Sequence, residues 1–299
     1  MSFKSGFAAI VGRTNVGKST LLNKIIGQKI VITSDKPQTT RQRLKGVYTN
    51  ESGQIVFIDT PGIHKPKYKL GEFLIDETKT AIPDADVVLF LVDGSVEAGT
   101  GDKWVADNLL NISTKIILVV NKVDLIKDLK KRDEIIETYQ NMFENKLEVV
   151  KVSAKTGRNI DTLIKNIIKN FKEGPKYYDE DEVTDQNMRL IAKEIIREKV
   201  LLLTQDEIPH SCAVKIDKFE ELPDIVKIKA TIHVEHDSQK GIVIGKKGIM
   251  LKNIGTQARK ELEELVENKV FLELFVKVSK NWRKNESFLK DFGYTKEEN

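Results

Sequence analysis

The sequence is poor in cysteine and histidine, the residues that form disulfides and bind zinc. Its 299 residues include a single cysteine, Cys212, which excludes an internal disulfide. Cys212 stands in an alternating apolar stretch, a setting that predicts a buried structural thiol. The four histidines are scattered, without the paired cysteines or the spacing of a zinc motif. A zinc site is therefore not expected.

Long apolar runs and a strong net charge are also absent. No run approaches the roughly 18 residues that cross a membrane, and residues 1–7 lack the apolar core of a signal peptide. We therefore predict a cytoplasmic protein. The net charge is +4, from 49 basic and 45 acidic residues, which by itself does not indicate nucleic-acid binding. The length predicts about two domains, each able to bury a core.

Apolar runs separated by helical patterns predict a doubly wound α/β domain over residues 1–172. Such runs are typical of parallel strands covered by helices on both faces. A hairpin-like turn at Asn50–Gly53 predicts one antiparallel strand at an edge of a mostly parallel, six-stranded sheet. The predicted strands are Phe7–Val11, Leu44–Thr49, Ile55–Ile58, Val87–Val92, Lys115–Val120 and Leu147–Val152.

A change of composition separates this domain from the rest of the chain. Residues 173–187 carry six acidic side chains against one lysine and predict a solvated linker. Residues 188–299 then predict an α+β domain with the order α-β-β-α-α-β. Its predicted elements are a helix at Met188–Thr204, strands at Ser211–Phe219 and Ile225–Glu235, a short segment at Gln239–Ile244, a helix that ends near Glu267 and a strand at Val270–Ser279.

The first predicted strand leads into a glycine-rich loop that matches GxxxxGK[ST]. Glycines let backbone N–H groups surround phosphate oxygens, and the following helix adds its positive dipole end. Lys18 is expected to reach the β- and γ-phosphates and Ser19 to bind Mg²⁺. A chance glycine-rich turn is the alternative for this loop alone. The residues predicted to contact the nucleotide here are Gly12, Arg13, Thr14, Asn15, Val16, Gly17, Lys18, Ser19 and Thr20.

Three further motifs end predicted strands, at the edge where such sheets bind ligands. The carboxylate of Asp124 can accept hydrogen bonds from both N1–H and the 2-amino group of guanine, whereas adenine offers no matching pair. The motif therefore predicts GTP over ATP. Asp59 is expected to hold Mg²⁺ through water, and the Gly62 N–H to sense the γ-phosphate. The Ala154 N–H is expected to meet guanine O6. The predicted residues are Asp59, Thr60, Pro61, Gly62, Asn121, Lys122, Asp124, Ser153, Ala154 and Lys155.

The four motifs together resemble the translation-factor-like branch of the P-loop GTPases over residues 7–171. The resemblance implies a threonine on Mg²⁺ in the first switch segment, Lys36–Arg41, where we favour Thr40 and keep Thr39 as an alternative. Ile63 replaces the glutamine that orients water in Ras-like enzymes. Related GTPases with an apolar residue there often bind K⁺, which implies slow hydrolysis helped by K⁺ on Asn15. The alternative is that Asn15 only stabilises the loop turn. The implied catalytic residues are Lys18, Thr40, Gly62 and Asn15, and the metal ligands are Ser19, Thr40 and Asp59.

The second domain carries a GxxG loop, Gly245–Gly248, between two predicted helical segments. This setting and the element order resemble a type II KH domain, which implies binding of single-stranded RNA. Ser238–Lys260 holds six basic residues and no acidic one. A solvated helix face explains part of this charge, but not two lysines between glycines. Trp282 is expected to pack on the fold rather than stack on a base. The predicted RNA contacts are Gly245, Lys246, Lys247, Gly248, Lys240, Lys252, Arg283 and Lys284.

All these motifs, with Asn281–Arg283, resemble the Era family of bacterial GTPases over nearly the whole chain. The resemblance implies a GTP- and GDP-binding protein that assists 30S ribosomal subunit assembly and 16S rRNA maturation. Its KH domain would hold single-stranded 16S rRNA near the 3′ end. Peripheral membrane contact is also implied, and we expect a monomer. One alternative is a signalling or membrane-associated GTPase whose C-terminal domain binds protein. Another is a nucleotide-binding scaffold without turnover.

Overall fold

A computed structural model describes residues 2–34, 36, 39–41, 43–62 and 69–294, with the side chains of 78–81 excepted. These described residues form two compact units. The first is made of the described parts of Met1–Val31, Thr40–Pro66 and Gly71–Asp185. The second is made of those of Ile32–Thr39, Lys67–Leu70 and Gln186–Asn299. Ile63, on which the hydrolysis prediction partly depends, lies outside the described residues.

The first unit is built on a six-stranded sheet in the order β2-β3-β1-β4-β5-β6. Neighbouring strands pair in parallel except β2 and β3, which are antiparallel. The predicted doubly wound sheet and its antiparallel edge strand are thus confirmed. The strands are β1 (Lys4–Val11), β2 (Leu44–Asn50), β3 (Gly53–Asp59), β4 (Val87–Asp93), β5 (Lys115–Asn121) and β6 (Glu148–Lys151).

Helices cover both faces of this sheet. Alternate residues of β1 belong to two different cores, Ala8 and Ile10 to one and Ala9 and Val11 to the other. This burial on both faces explains why the strands read as continuous apolar runs. The helices are α1 (Lys18–Ile26), α2 (Lys69–Ala81), α3 (Thr100–Leu109), α4 (Leu129–Gln140) and α5 (Ile160–Lys169).

The acidic segment, residues 173–185, lies along the edge of the first unit. The carbonyl of Val183 accepts a hydrogen bond from the Val47 N–H of β2 at 2.9 Å, and Thr184 Oγ1 donates to the carbonyl of Lys45 at 2.7 Å. The expectation of a solvated linker is therefore wrong for the backbone of this segment. It holds for the side chains of residues 179–182, which are exposed. The acidic side chains can stay in water while the backbone of the same segment forms hydrogen bonds with the sheet.

The second unit has a three-stranded sheet in the order β7-β8-β9, antiparallel between β7 and β8 and parallel between β8 and β9. The predicted KH fold is confirmed, with two short helices, α7 and α10, that the predicted order α-β-β-α-α-β did not include. Its elements are α6 (Met188–Leu203), α7 (Ile208–Ser211), β7 (Ala213–Leu222), β8 (Ile225–Val234), α8 (Asp237–Ile244), α9 (Ile249–Val266), β9 (Val270–Val278) and α10 (Glu286–Asp291).

Two sequence predictions about the core of this unit are confirmed. Cys212 is buried, and its Sγ donates to the carbonyl of Pro209 at 3.9 Å. Trp282 is fully buried, and its Nε1 donates to the carbonyl of Ser211 at 2.8 Å, so it packs on the fold. Among the residues that the structure describes, no helix is long and apolar enough to cross a membrane.

Candidate functional site

The phosphate loop, Gly12–Thr20, joins β1 to α1, as the motif predicts. Lys18 is the first residue of α1 and is buried. Its Nζ donates to the carbonyls of Gly12 and Arg13, each at 3.1 Å, so the side chain extends back toward the start of the phosphate loop. This position places the ammonium inside the loop that a triphosphate would occupy.

Three oxygen-bearing side chains meet beside this loop. Ser19 Oγ lies 3.0 Å from Thr40 Oγ1 and 3.2 Å from Asp59 Oδ2. Thr40 Oγ1 is 3.3 Å from the same carboxylate oxygen. Asp59 is fully buried, and its Oδ1 has no hydrogen-bond partner among the described residues. A buried carboxylate oxygen without a donor, next to two hydroxyls, fits a hard cation such as Mg²⁺.

Burial perturbs both charged groups of the loop. It lowers the pKa of Lys18 to about 8, because desolvation outweighs the attraction of Asp59. It raises the pKa of Asp59 to about 6, against the opposing effect of Lys18 and of hydrogen bonds from Ser19 and Thr40. In the empty site, burial therefore disfavours the charged form of both Lys18 and Asp59. A bound phosphate would stabilise the Lys18 ammonium, and a bound cation would stabilise the Asp59 carboxylate.

The Asp59–Gly62 motif ends β3 and brings Gly62 next to the phosphate loop. Thr60 Oγ1 donates to the carbonyl of Ile10 at 2.8 Å, which ties this motif to β1. A Cβ on Gly62 would lie 2.7 Å from Thr14 Cγ2 and 3.2 Å from Lys18 Nζ. Only glycine permits this approach, which leaves the Gly62 backbone close to the Lys18 ammonium.

Asn121, at the end of β5, joins the phosphate loop to the Ser153–Lys155 motif. Its Nδ2 donates to the carbonyl of Val16 at 2.8 Å, and its Oδ1 accepts the N–H of Ala154 at 2.9 Å. In the nucleotide-free structure the Ala154 N–H donates to Asn121, and its contact with guanine O6 stays a prediction. Asp124 follows in a short 3-10 turn and is half-buried.

Asp93 is a residue of the site that the sequence analysis missed. Lys122 Nζ donates to Asp93 Oδ2 at 2.7 Å and to the carbonyl of Asn15 at 2.9 Å. Hydrogen bonds from Lys122 and Ser95 outweigh the effect of burial and lower the pKa of Asp93. The signal was available, because Asp93 ends β4 just as Asp59 ends β3 and Asn121 ends β5.

Charged side chains of α6 bind the residues that precede Thr40. Thr33 donates its N–H to Glu198 Oε1 at 2.9 Å, and Arg197 donates to the carbonyl of Thr39. Thr39 Oγ1 donates to the carbonyl of Lys36 at 2.6 Å, and it lies outside the Ser19–Asp59 cluster. The geometry thus favours Thr40 over Thr39 as the cation ligand. No local sequence signal marks the two α6 residues, because their partners are more than 150 positions away.

The GKKG loop joins α8 to α9 in the second unit. Gly245 has φ 72°, and a Cβ there would lie 2.7 Å from Met250 Cβ, so the turn requires glycine. Lys246 and Lys247 are exposed, and so are the apolar side chains of Ile242 and Ile249 on either side. The first turn of α9 has no side-chain cap, and the N–H of its first residue, Ile249, donates to the carbonyl of Lys246.

The other predicted RNA contacts differ in their surroundings. Lys252 and Lys284 are exposed and Lys240 is half-buried. Arg283 instead pairs with buried Glu235, to which its Nε donates at 3.0 Å. The structure therefore gives Arg283 an intramolecular partner that its prediction as an RNA contact did not include.

Comparison with known proteins agrees with both units. A family model described as "50S ribosome-binding GTPase" matches residues 7–122, and one described as "KH domain" matches residues 207–283. GTPase Era of Nostoc sp. is 51% identical over 297 residues, which cover 99% of this chain and 91% of that protein. The chain belongs to the Era family of GTPases.

Other Era proteins agree in sequence and structure. GTPase Era of Alkaliphilus metalliredigens is 49% identical over 299 residues and is covered completely. A variant of Aquifex aeolicus Era bound to GDP and AlF4⁻ shares 41% identity with a TM-score of 0.93, covering 98% of this chain and 99% of that one. An Era structure in complex with MgGDPNP and nucleotides 1506–1542 of 16S ribosomal RNA also has a TM-score of 0.93, at 40% identity and with the same coverage. Both the GTPase fold and the KH fold are therefore those of the Era family.

Proposed function

We propose that this GTPase is a nucleotide-controlled RNA-binding protein that acts in assembly of the small ribosomal subunit and maturation of 16S rRNA. Its KH domain would bind single-stranded rRNA near the 3′ end. The observation that carries the proposal is the GKKG loop, which presents two exposed lysines directly before α9. The Era complex with nucleotides 1506–1542 of 16S rRNA supports this choice of RNA.

The chain's own residues can perform each part of GTP binding. Lys18 would turn from the carbonyls of its loop to the β- and γ-phosphates, and the Gly62 N–H would meet the γ-phosphate. Asp124 would accept the two donors of guanine, as the sequence predicts. Bound Mg²⁺ would bridge phosphate oxygens and neutralise their charge, held by Ser19, Thr40 and Asp59. The Era structure that contains MgGDPNP supports this metal.

Potassium assistance through Asn15 is a separate part of the proposal. Asn15 has φ 64°, a backbone conformation that asparagine tolerates well. This value agrees with the alternative in which Asn15 only shapes the loop. Single-turnover GTP hydrolysis in K⁺ and in Na⁺ at equal ionic strength distinguishes the two. A faster rate in K⁺ that Asn15→Ala abolishes supports the potassium site, and equal rates refute it.

Nucleotide control would act through the first switch segment. Thr40 belongs to the cation cluster, whereas the carbonyl of the adjacent Thr39 is held by Arg197 of α6. Movement of Thr40 between nucleotide states therefore changes the strain on a segment that α6 binds. Glu198 of α6 is bonded to Lys199, which also pairs with Glu261 of α9. Since α9 begins at the GKKG loop, this chain of ion pairs offers a route from the nucleotide to RNA.

The RNA proposal is tested by a double variant of the loop. Lys246→Glu/Lys247→Glu reverses two charges at the GKKG loop, and Arg259→Glu/Lys260→Glu makes the same charge change on the exposed side of α9. We expect the loop variant to lose at least tenfold in affinity for a labelled 3′-terminal 16S rRNA fragment, and the control to lose much less. If the two variants bind equally while GTP hydrolysis persists, the RNA proposal fails.

That failure would favour the alternative GTPase whose C-terminal domain binds protein. A scaffold without turnover instead predicts no phosphate release, even with 30S subunits present. Monomeric state and peripheral membrane contact stay predictions.

A further inference from the structure

The sheet of the second unit has an outer face that the proposed function does not use. In β8, Val226, Ile228, Ala230 and Ile232 point into the core that α6, α8 and α9 share. The GKKG loop joins α8 to α9 and so belongs to that covered side. The alternate residues of β8 and β9 point to the opposite side, which is open to solvent at Lys227, Lys229 and β9 but covered at His233, against which Phe292 packs.

Two phenylalanines occupy this outer face. Phe271 is 51% exposed and Phe275 is 46% exposed, both on β9. Solvent-facing strand positions are normally polar, so a pair of exposed aromatic rings on one strand calls for an explanation. They are four positions apart, which places the rings about 13 Å apart along the strand.

Lysines surround these rings. Lys227 stands directly opposite Phe271 in the β8–β9 register. Lys229 Nζ lies 4.9 Å from the centroid of the Phe275 ring. Lys277 follows on the same side of β9. The "β9 face" is defined here by these five residues, Lys227, Lys229, Phe271, Phe275 and Lys277.

The β9 face is net positive, although Glu220 of β7 stands opposite Lys227 and Glu273 of β9 stands opposite Lys229. Two lysines of β7 on the same side of the sheet are paired, Lys215 with Asp291 and Lys218 with Glu220. By contrast, within the part of the chain that the structure describes, the three lysines of the β9 face form no ion pair. Glu273 is the one acidic residue between the two rings on β9.

From this arrangement we infer that the β9 face is a second RNA-binding surface, which takes a single-stranded segment other than the one at the GKKG loop. Bases stack on aromatic side chains of an open sheet, and lysines beside them meet the phosphates. A base on Phe275 would displace Lys229 toward the neighbouring phosphate. A protein partner fits less well, because the two rings are separated by the charged Glu273 and do not form a continuous apolar patch.

The surface is tested in the full-length protein with two labelled adenosine homopolymers, of 8 and 30 nucleotides. Phe271→Ile/Phe275→Ile removes both rings but keeps apolar, strand-forming residues. We expect it to weaken binding of the 30-mer by at least tenfold, because stacking on one ring is worth about fivefold or more. Binding of the 8-mer and the thermal unfolding midpoint should stay unchanged. Leu222→Thr, at an exposed position of β7, is the matched apolar control and should change neither affinity.

The contribution of the lysines is tested by a second variant with a matched control. Lys227→Gln/Lys229→Gln should weaken binding of the 30-mer and lower its salt dependence, whereas Lys218→Gln should do neither. The same comparison in the Lys246→Glu/Lys247→Glu background separates this proposal from the proposed function, since residual 30-mer binding there belongs to the β9 face. Unchanged 30-mer affinity in the phenylalanine double variant overturns the inference. So does a change confined to self-association or to binding of a protein.

Discussion

Asn121 shows how one side chain can organise a nucleotide site before any nucleotide is bound. Its amide joins the carbonyl of Val16 to the N–H of Ala154, and both partners are buried. The sequence predicts Asn121 as a nucleotide contact at the end of a strand, and the structure places it at the end of β5. Asn121 accepts the Ala154 N–H only because the fold brings two loops together from distant parts of the chain. No local sequence pattern predicts this hydrogen bond.

Replacing Asn121 by alanine should therefore damage the fold as well as binding. The substitution leaves a buried carbonyl and a buried N–H without partners, at a cost of about 2 kcal/mol in the free energy of unfolding. Urea denaturation of the nucleotide-free protein measures this cost. Asn108→Ala, which removes a hydrogen bond within one helix, should cost much less. Equal effects of the two substitutions would contradict the role of Asn121.

His233 predicts an acid-sensitive second unit. It is buried, its ring lies 4.4 Å from that of Phe292, and its Nδ1 is 2.9 Å from Ser279 Oγ. Burial, helped by Lys277, lowers the pKa of His233 to about 4. The side chain is thus neutral in the folded state but takes up a proton on unfolding at mildly acid pH.

Stability should accordingly be complete above about pH 6.5 and fall as the pH drops toward 4. For this one group we expect a loss of roughly 2 kcal/mol between pH 7.5 and pH 5. Denaturant unfolding of wild type and His233→Gln at both values measures it, and the loss should shrink in the variant. His236→Gln, at an exposed position, should behave as wild type. The account is wrong if His233→Gln is just as sensitive to acid.

At the scale of elements, Gln54 of β3 holds the acidic segment in place. Its Oε1 accepts the N–H groups of Tyr177 and Tyr178 at 2.7 and 3.1 Å. Its Nε2 donates to the Tyr178 carbonyl at 2.9 Å, and the side chain is fully buried. The side-chain amide of Gln54 thus satisfies backbone groups of the acidic segment that would otherwise pair with a neighbouring strand.

Gln54→Ala should release the acidic segment and lower the free energy of unfolding by about 2 kcal/mol, since several buried polar groups lose their partner. Limited proteolysis should then cleave within residues 173–185 faster than in wild type. Exposed Gln28→Ala serves as the control. A cleavage rate that does not change would mean that the contacts with β2 hold the segment without Gln54.

Elements are also where sequence patterns worked best. The central strands of the first sheet were predictable because both their faces are buried, which leaves an uninterrupted apolar run such as Val87–Val92. The acidic segment was misjudged for a related reason. Its acidic composition predicts only that its side chains are exposed to solvent. Its docking depends on hydrogen bonds of its backbone and of Thr184 with Gln54 and Lys45, which are far away in sequence.

At the scale of the whole molecule, the charged residues of α6 and α9 predict a measurable coupling between nucleotide and RNA. Glu261→Gln weakens the ion pair with Lys199 while the bond between Lys199 and Glu198 stays. We expect RNA affinity to respond severalfold less to exchange of GDP for a non-hydrolysable GTP analogue. By thermodynamic reciprocity, RNA should change the affinity for the analogue by the same reduced factor.

Fluorescence anisotropy with labelled RNA, and with labelled nucleotide, measures both sides of this cycle. Glu264→Gln on the exposed side of α9 is the matched control and should leave the coupling intact. An unaltered coupling factor in Glu261→Gln would place the route elsewhere.

The sequence by itself determined the two folds, the guanine-nucleotide motifs and the GKKG loop. These depend on residues contiguous in the chain, on strand and helix periodicity and on turns that require glycine, all of which are short-range properties. Only the tertiary structure decided that Asn121 uses the Ala154 donor, that Arg283 pairs with Glu235, that the acidic segment docks and that α6 holds Thr33 and Thr39. Each of these contacts joins residues that are far apart in sequence, so the physical cause lies in which segments the fold brings together.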